Sequence, residues 1–246
     1  IDMLLKKVNG QPYVTETPIP KIDRVKIADA IIDMPHAKIA LLNTGGIVGI
    51  GSDHDMFNCT NAGELKVNCR GANNVYMGGI VARAHRMHAE NCANSANISI
   101  TESSECAALY ISGCLGTLEG TATRETKIYK CSNSGNITAK CNNTKDVQAG
   151  GIMGWIKVSG CEISECTNSG NISMTSSVTG SYAAGIVTIQ TCTLADSTIK
   201  TISKVVNCSN TGNITFTGTE SNSAWNAPAG IVGKCTVDFG IEGCEN

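Results

Sequence analysis

Cys131-Ser-Asn133-Ser-Gly135-Asn-Ile137 returns almost unchanged as Cys166-Thr-Asn168-Ser-Gly170-Asn-Ile172. Working outward from this pair, the same Cys-x-Asn-x-Gly/Ala-x-Ile/Leu pattern is read at Cys59–Leu65, at Cys92–Ile98 and at Cys208–Ile214, and Cys244-Glu245-Asn246 opens a sixth copy. Successive cysteines of the pattern are 33, 39, 35, 42 and 36 residues apart. Self-similarity at such a period is the mark of a repeat architecture. A second pattern, Gly/Ala-Gly-Ile-Val/Met-Gly, alternates with the first at Gly45–Gly49, Gly78–Ala82, Gly150–Gly154, Ala184–Thr188 and Ala229–Gly233. Ser112-Gly113-Cys114-Leu115-Gly116 is a degenerate member in the expected place.

Within each unit, short apolar pieces are broken by Gly, Asn, Ser and Thr, with no sustained helical period; this predicts strands joined by turns. The simplest fold built from such units is an all-β, right-handed parallel β-helix of about six repeats, each packing on its neighbours. One coil per repeat keeps like residues over like, as three strands plus a protruding loop, and places the length variation in loops at Thr117–Lys127 and Thr191–Lys204. Gly at the fifth position of the Cys pattern is expected to supply a positive-φ corner. The Asn two residues after each Cys (Asn61, Asn94, Asn133, Asn168, Asn210) admits two readings: an amide ladder up the stack, or a residue that suits a turn. Residues 1–42, with Pro12, Pro18 and Pro20 and with Pro35 further on, read as an N-terminal cap or linker. Residues 43–246 read as the repeat domain.

Composition narrows the function. The chain has 246 residues, 41% hydrophobic and 16% charged, with a net charge of −2. That is enough apolar material for a core and offers no basic footprint for nucleic acid. No apolar run is long enough to span a membrane, and Ile1-Asp2-Met3 does not open a signal-peptide pattern. The unfinished sixth copy predicts that the native polypeptide continues past Asn246, with further domains in the same polypeptide.

Thirteen cysteines are present. Cys59, Cys92, Cys131, Cys166, Cys208 and Cys244 share one register, and Cys69, Cys106 and Cys141 suggest a second. Parallel side chains in one register are poorly set for the right-angled disulfide torsion, which favours columns of buried free thiols. Several disulfides are the alternative; a zinc cluster is disfavoured because no Cys-x-x-Cys pair occurs.

The alternation of Cys-x-Asn-x-Gly-x-Ile with Gly-Gly-Ile-Val-Gly resembles the GLUG-type repeats of bacterial cell-surface proteins, over about Asn43 to Asn246. The resemblance implies a β-helical stalk, an extracellular or cell-surface location in a bacterium, no catalytic residue, and a role as adhesin or ligand-presenting stalk with a glycan or protein ligand. The alternative is a polysaccharide-active β-helix enzyme, lyase or hydrolase, or a glycan-binding module.

Nucleophile elbow, P-loop, dinucleotide and HExxH patterns do not occur. Two loops nevertheless carry chemistry. Asp53-His54-Asp55 and His85-Arg86-Met87-His88 follow the motif residues Ile47 and Ile80 at matching distances. Stacking predicts His54 or Asp55 within one rung of His88, and Asp53 near Arg86. A divalent metal or an anionic ligand is the candidate occupant; otherwise no cofactor is expected, and a plain solvated loop is the alternative. Trp155, Tyr182 and Trp225 are candidate sugar-stacking residues, with packing as their alternative. The sequons at Asn97, Asn136, Asn171 and Asn213 fall out of the repeat and read as strand-edge chemistry.

Overall fold

The computed structural model of the protein describes residues 41–119, 126–142, 146–177, 180–191, 202–218, 227–235 and 239–246. Most of the cap or linker expected over residues 1–42, part of each expected loop, and Trp225 lie outside the described residues.

Among the described residues the chain is an all-β parallel solenoid without helix. One coil per repeat is correct, but a coil holds five short strands and not three. The first coil runs β1 (Leu41–Gly45), β2 (Val48–Ser52), β3 (Met56–Phe57), β4 (Thr60–Asn61) and β5 (Leu65–Arg70). The second runs β6 (Asn74–Gly78), β7 (Val81–His85), β8 (Ala89–Glu90), β9 (Ala93–Asn94) and β10 (Ile98–Ser104). Each strand pairs in parallel with its counterpart one repeat on, as in Leu41↔Asn74, Val48↔Val81, Met56↔Ala89, Thr60↔Ala93 and Leu65↔Ile98. Five sheets result, of six, six, six, five and five strands, here called A to E in the order of the first coil.

The two sequence motifs alternate because they meet across the coil. The Gly-Gly turn between sheets A and B passes directly against the Asn column of sheet D. A Cβ placed on Gly113 would lie 2.3 Å from Asn133 Cγ and 2.1 Å from the Gly151 carbonyl oxygen. Gly79, Gly151 and Gly185 meet Asn94, Asn168 and Asn210 in the same way. This contact pinches the coil into two cores. One holds Ile80, Val81, Met87, Cys92, Leu115, Ile128 and their counterparts, from sheets B and C and the Cys column. The other holds Val75, Met77, Ile98, Ile100, Leu109 and Ile111, from sheets A and E. Cys114 is buried in the first core at the place where the other repeats carry the motif Ile.

The Asn column is a ladder, and a turn device as well. Asn94 Nδ2 donates to Asn133 Oδ1 and Asn133 Nδ2 to Asn168 Oδ1, both at 2.8 Å. The same Nδ2 atoms donate within their own coil to the carbonyls of Ala96 and Gly135, both at 2.9 Å. The sequon asparagines form a second, exposed series, in which Asn97 Oδ1 accepts from Asn136 N–H and Asn136 Oδ1 from Asn171 N–H, each at 3.0 Å.

The expected positive-φ corner is corrected. Among the described residues the positive-φ glycines are Gly71, Gly160, Gly180 and Gly243, so the fifth-position glycines Gly135, Gly170 and Gly212 are not among them. They are small for another reason: a Cβ on Gly135 would lie 1.9 Å from the Ala96 carbonyl oxygen of the preceding coil. The left-handed residue is the one before each Cys: Asn58, Asn91, Lys130, Glu165 and Asn207, and Gly243 before Cys244.

Candidate functional site

The loops after Ile47 and Ile80 lie on neighbouring coils, at the corner where sheet B turns into sheet C. Asp53 and Arg86 both take left-handed backbone there, φ 55° and 48°, which aims their side chains along the same edge. The Arg86 guanidinium donates through Nε and an Nη to the two Asp53 carboxylate oxygens, each at 2.6 Å. This two-point geometry fits the guanidinium fork, and the contact with Asp53 moves the Arg86 pKa upward. Asp55 Oδ1 accepts from the His88 backbone N–H at 3.2 Å. His88 Nδ1 in turn accepts from the Lys127 backbone N–H at 2.9 Å. In the neutral ring this leaves the hydrogen on Nε2.

Around this edge lies an open depression of ≈ 230 Å³, lined by Asp55, Phe57, His88, Ala89, Glu90, Lys127 and Tyr129. Phe57 is 55% exposed, and Lys127 Nζ sits 4.6 Å from the centre of the Tyr129 ring. The hollow therefore presents an aromatic floor and charges of both signs. His85 stands in register with Ser52 and Glu119 on sheet B, away from the lining of the hollow. His54 is exposed, and it too is absent from that lining. Among the described residues no group of three or more His, Cys, Asp or Glu is placed to hold a metal ion. Sequence reasoning missed Lys127 and Tyr129. The signal was available: Lys127 follows His88 by 39 residues, the same offset as Cys92 to Cys131.

The aromatic candidates lie elsewhere, on a seam between sheets A and B. Alternation puts Val75 and Met77 in the core and turns Tyr76 to the other face. There it stacks on Tyr110, with ring centres 5.1 Å apart, and Tyr110 packs on Trp155 at 5.0 Å. Trp155 Nε1 donates to Thr191 Oγ1 at 2.8 Å, and Lys157 Nζ lies 3.8 Å from its ring centre. Tyr182, in the same column of sheet A, is buried. Trp155 and Tyr182 are thus packed side chains of the seam, where a sugar-stacking platform needs a free ring face. The rim of the seam carries Glu119 between Arg83 and Lys157, with Lys157 Nζ at 3.4 Å. Burial pulls the Glu119 carboxyl upward, but hydrogen bonding and charge from Arg83 and Lys157 outweigh it and hold the carboxyl below its ordinary range.

The described cysteines are free thiols. Those of the first column are buried from Cys92 to Cys208, and each thiol donates to a carbonyl two residues back, as Cys166 does to Ser164 at 3.4 Å.

With this geometry in view, the comparisons with known proteins change the setting. Residues 1–88 match the family described as glycine/sarcosine/betaine reductase selenoprotein B. The chain is 56% identical over 50 residues to betaine reductase complex component B subunit beta of Peptoclostridium acidaminophilum, covering 20% of this chain and 11% of that protein. It is 47% identical over 55 residues to glycine reductase complex component B subunit gamma of Symbiobacterium thermophilum, covering 22% and 13%. It is 48% identical over 48 residues to sarcosine reductase complex component B subunit beta of Peptoclostridium acidaminophilum, covering 20% and 11%. The chain therefore spans little more than a tenth of the length of these relatives. No solved structure matches it.

These findings overturn the resemblance to GLUG-type surface proteins. The relatives are named as subunits of reductase complexes. The adhesin or stalk role, the polysaccharide-active alternative, the glycan ligand and the extracellular, cell-surface location all fall with it. What misled the reading is physical: close coil packing selects Gly, Asn and Ile at these spacings wherever a solenoid is built, so the motif reports the fold and not the setting.

Proposed function

We propose that this chain is a component of a reductase assembly of the glycine, sarcosine or betaine class, in which the solenoid acts as a stiff protein-binding scaffold. The single observation that carries this reading is the match of residues 1–88 to the selenoprotein B family. It is supported by what the solenoid offers. Its cores are closed by side chains packed to nearly zero exposure, while its B–C edge presents Phe57, Lys127 and Glu90 in a shallow hollow and the Asp53–Arg86 pair on the same edge. Aromatic and Arg side chains at a rigid surface are what protein partners use as anchors.

The test is direct binding of the full chain to the purified betaine reductase complex of Peptoclostridium acidaminophilum, followed by sedimentation velocity. A co-sedimenting species, weakened by Phe57→Ala with Arg86→Ala, is the expected result. Independent sedimentation of chain and complex across the accessible concentration range overturns the proposal.

A further inference from the structure

The second cysteine register differs from the first in one respect. In the first column the residues stack in register, and each thiol is turned to a carbonyl two residues back in its own coil. In the second, β10 carries a register shift against β5 between Ile100 and Glu102, which moves the partner of Cys69 one residue on, to Ser103, and so one residue nearer Cys106. Cys106 follows three residues later, at the corner leading into the next coil, after the left-handed residue Glu105. The irregularity brings the two sulfurs to 3.6 Å. That is van der Waals contact, and about 1.6 Å of closure separates it from a disulfide bond. Cys106 is 2% exposed, whereas Cys69 is partly exposed at the surface. Cys141, the third member, is buried and pairs with Ser103 from the other side.

We infer that Cys69 and Cys106 form a thiol–disulfide exchange site that takes small organic disulfides as oxidant. Cys69 is the entry thiol, because it is the one the solvent reaches. Its thiolate attacks one sulfur of the oxidant, a mixed disulfide forms, and one thiol of the oxidant leaves. The Cys106 thiolate then attacks Cys69 Sγ; the Sγ–Sγ bond forms, the mixed disulfide breaks, and the second oxidant thiol leaves. The two thiol protons end on the two released thiols. The two-electron oxidation of the pair balances the two-electron reduction of the oxidant. Cys141 takes no part: it is buried, and that burial pushes its thiol up to about 12.

The experiment is incubation of the full chain with oxidised glutathione at neutral pH, alkylation in denaturant, digestion without reductant and mass mapping. The expected result is a linked pair of peptides carrying Cys69 and Cys106, with neither of these two cysteines alkylated. Cys106→Ser should accumulate one glutathionyl group on Cys69, and Cys141→Ser should leave the link intact. Recovery of Cys69 and Cys106 both alkylated from the unsubstituted chain overturns the inference, and so does a link between Cys106 and Cys141. Because the decisive map uses the unsubstituted chain, a misfolded variant cannot obscure the result.

Discussion

At the scale of single residues, the contact between the Gly-Gly turn and the Asn column governs stability. Gly113→Ala should cost roughly 2–4 kcal/mol, the range expected when a close-packed interior is overfilled or a buried bond is broken. Its Cβ would meet the Gly151 carbonyl and Asn133 Cγ, and Asn133 is held from both neighbouring coils. Urea unfolding followed by far-UV circular dichroism measures this, and a change below half a kilocalorie would show that the turn gives way freely. Asn133→Ala should cost about as much, near 2–5 kcal/mol. It strands the donor of Asn94, the acceptor of Asn168 and the carbonyl of Gly135. Both residues were visible in the sequence as invariants of the repeat, but their reasons were not. A list of positions shows that Gly and Asn recur; only the closed coil shows that they recur because they touch. The left-handed residue before each Cys was invisible for the opposite reason: Asn58, Asn91, Lys130, Glu165 and Asn207 satisfy it with three different side chains.

At the scale of the strand, the outer face of sheet C shows how charges settle on a parallel array. Lys127, Glu162 and Lys204 stand in one register on three successive coils. Glu162 lies between the two ammonium groups, with Lys127 Nζ at 3.1 Å and Lys204 Nζ at 3.0 Å, and it also accepts from Ser164 Oγ at 2.8 Å. Partial burial pulls its carboxyl upward, yet hydrogen bonds from Lys204, Ser164 and Lys127 outweigh this and lower it from 4.5 to about 2. A carboxylate whose folded pKa is depressed contributes stability above its unfolded value and loses it as pH falls through the folded one. Unfolding midpoints should therefore drop more steeply between pH 4.5 and pH 2 for the parent chain than for Glu162→Gln, whose amide does not titrate. Parallel slopes for the two would show that the lysines leave Glu162 to solvent. Here the repeat spacing made the neighbours predictable once the coil was known, just as it placed Asp53 beside Arg86. The five-strand cross-section was less legible, because strands of two residues, such as β4 and β9, leave no hydrophobic period to read.

At the scale of the whole molecule, protection should follow depth in the stack. Cys92, Cys106, Cys114, Cys131, Cys141, Cys161, Cys166 and Cys208 are buried, Cys59, Cys69 and Cys244 are partly exposed, and Cys235 is exposed. Of the described cysteines, under native conditions iodoacetamide should modify Cys235 first, then the partly exposed group, and reach the buried eight only on unfolding, because a buried thiol must wait for the coil to open. Rapid modification of Cys131 or Cys166, read by peptide mass mapping, would contradict the closed core. The solenoid as a whole was legible because each coil repeats the demands of the last. The biological setting was not, since residues 1–88, which match the reductase family, include only two copies of the Gly-Gly-Ile pattern and one of the Cys pattern.

The Asn ladder has a direction. From Asn61 through Asn94, Asn133, Asn168 and Asn210 to Asn246, every side-chain N–H points to the oxygen of the next coil. No amide from Asn94 to Asn210 can turn round alone, because the second hydrogen of each is held by a carbonyl of its own coil. A reversed member would set oxygen against oxygen on one side and hydrogen against hydrogen on the other. Backbone groups do not share this one-way order: Gly79 N–H points up the stack to Ser112, whereas Ser132 N–H points down it to Cys92. The solenoid thus carries an electrical polarity written in its asparagines. Each inner coil therefore shows an amide oxygen to the coil before it and an amide nitrogen to the coil after it, so the two faces of a coil are unlike and a neighbouring coil must distinguish head from tail.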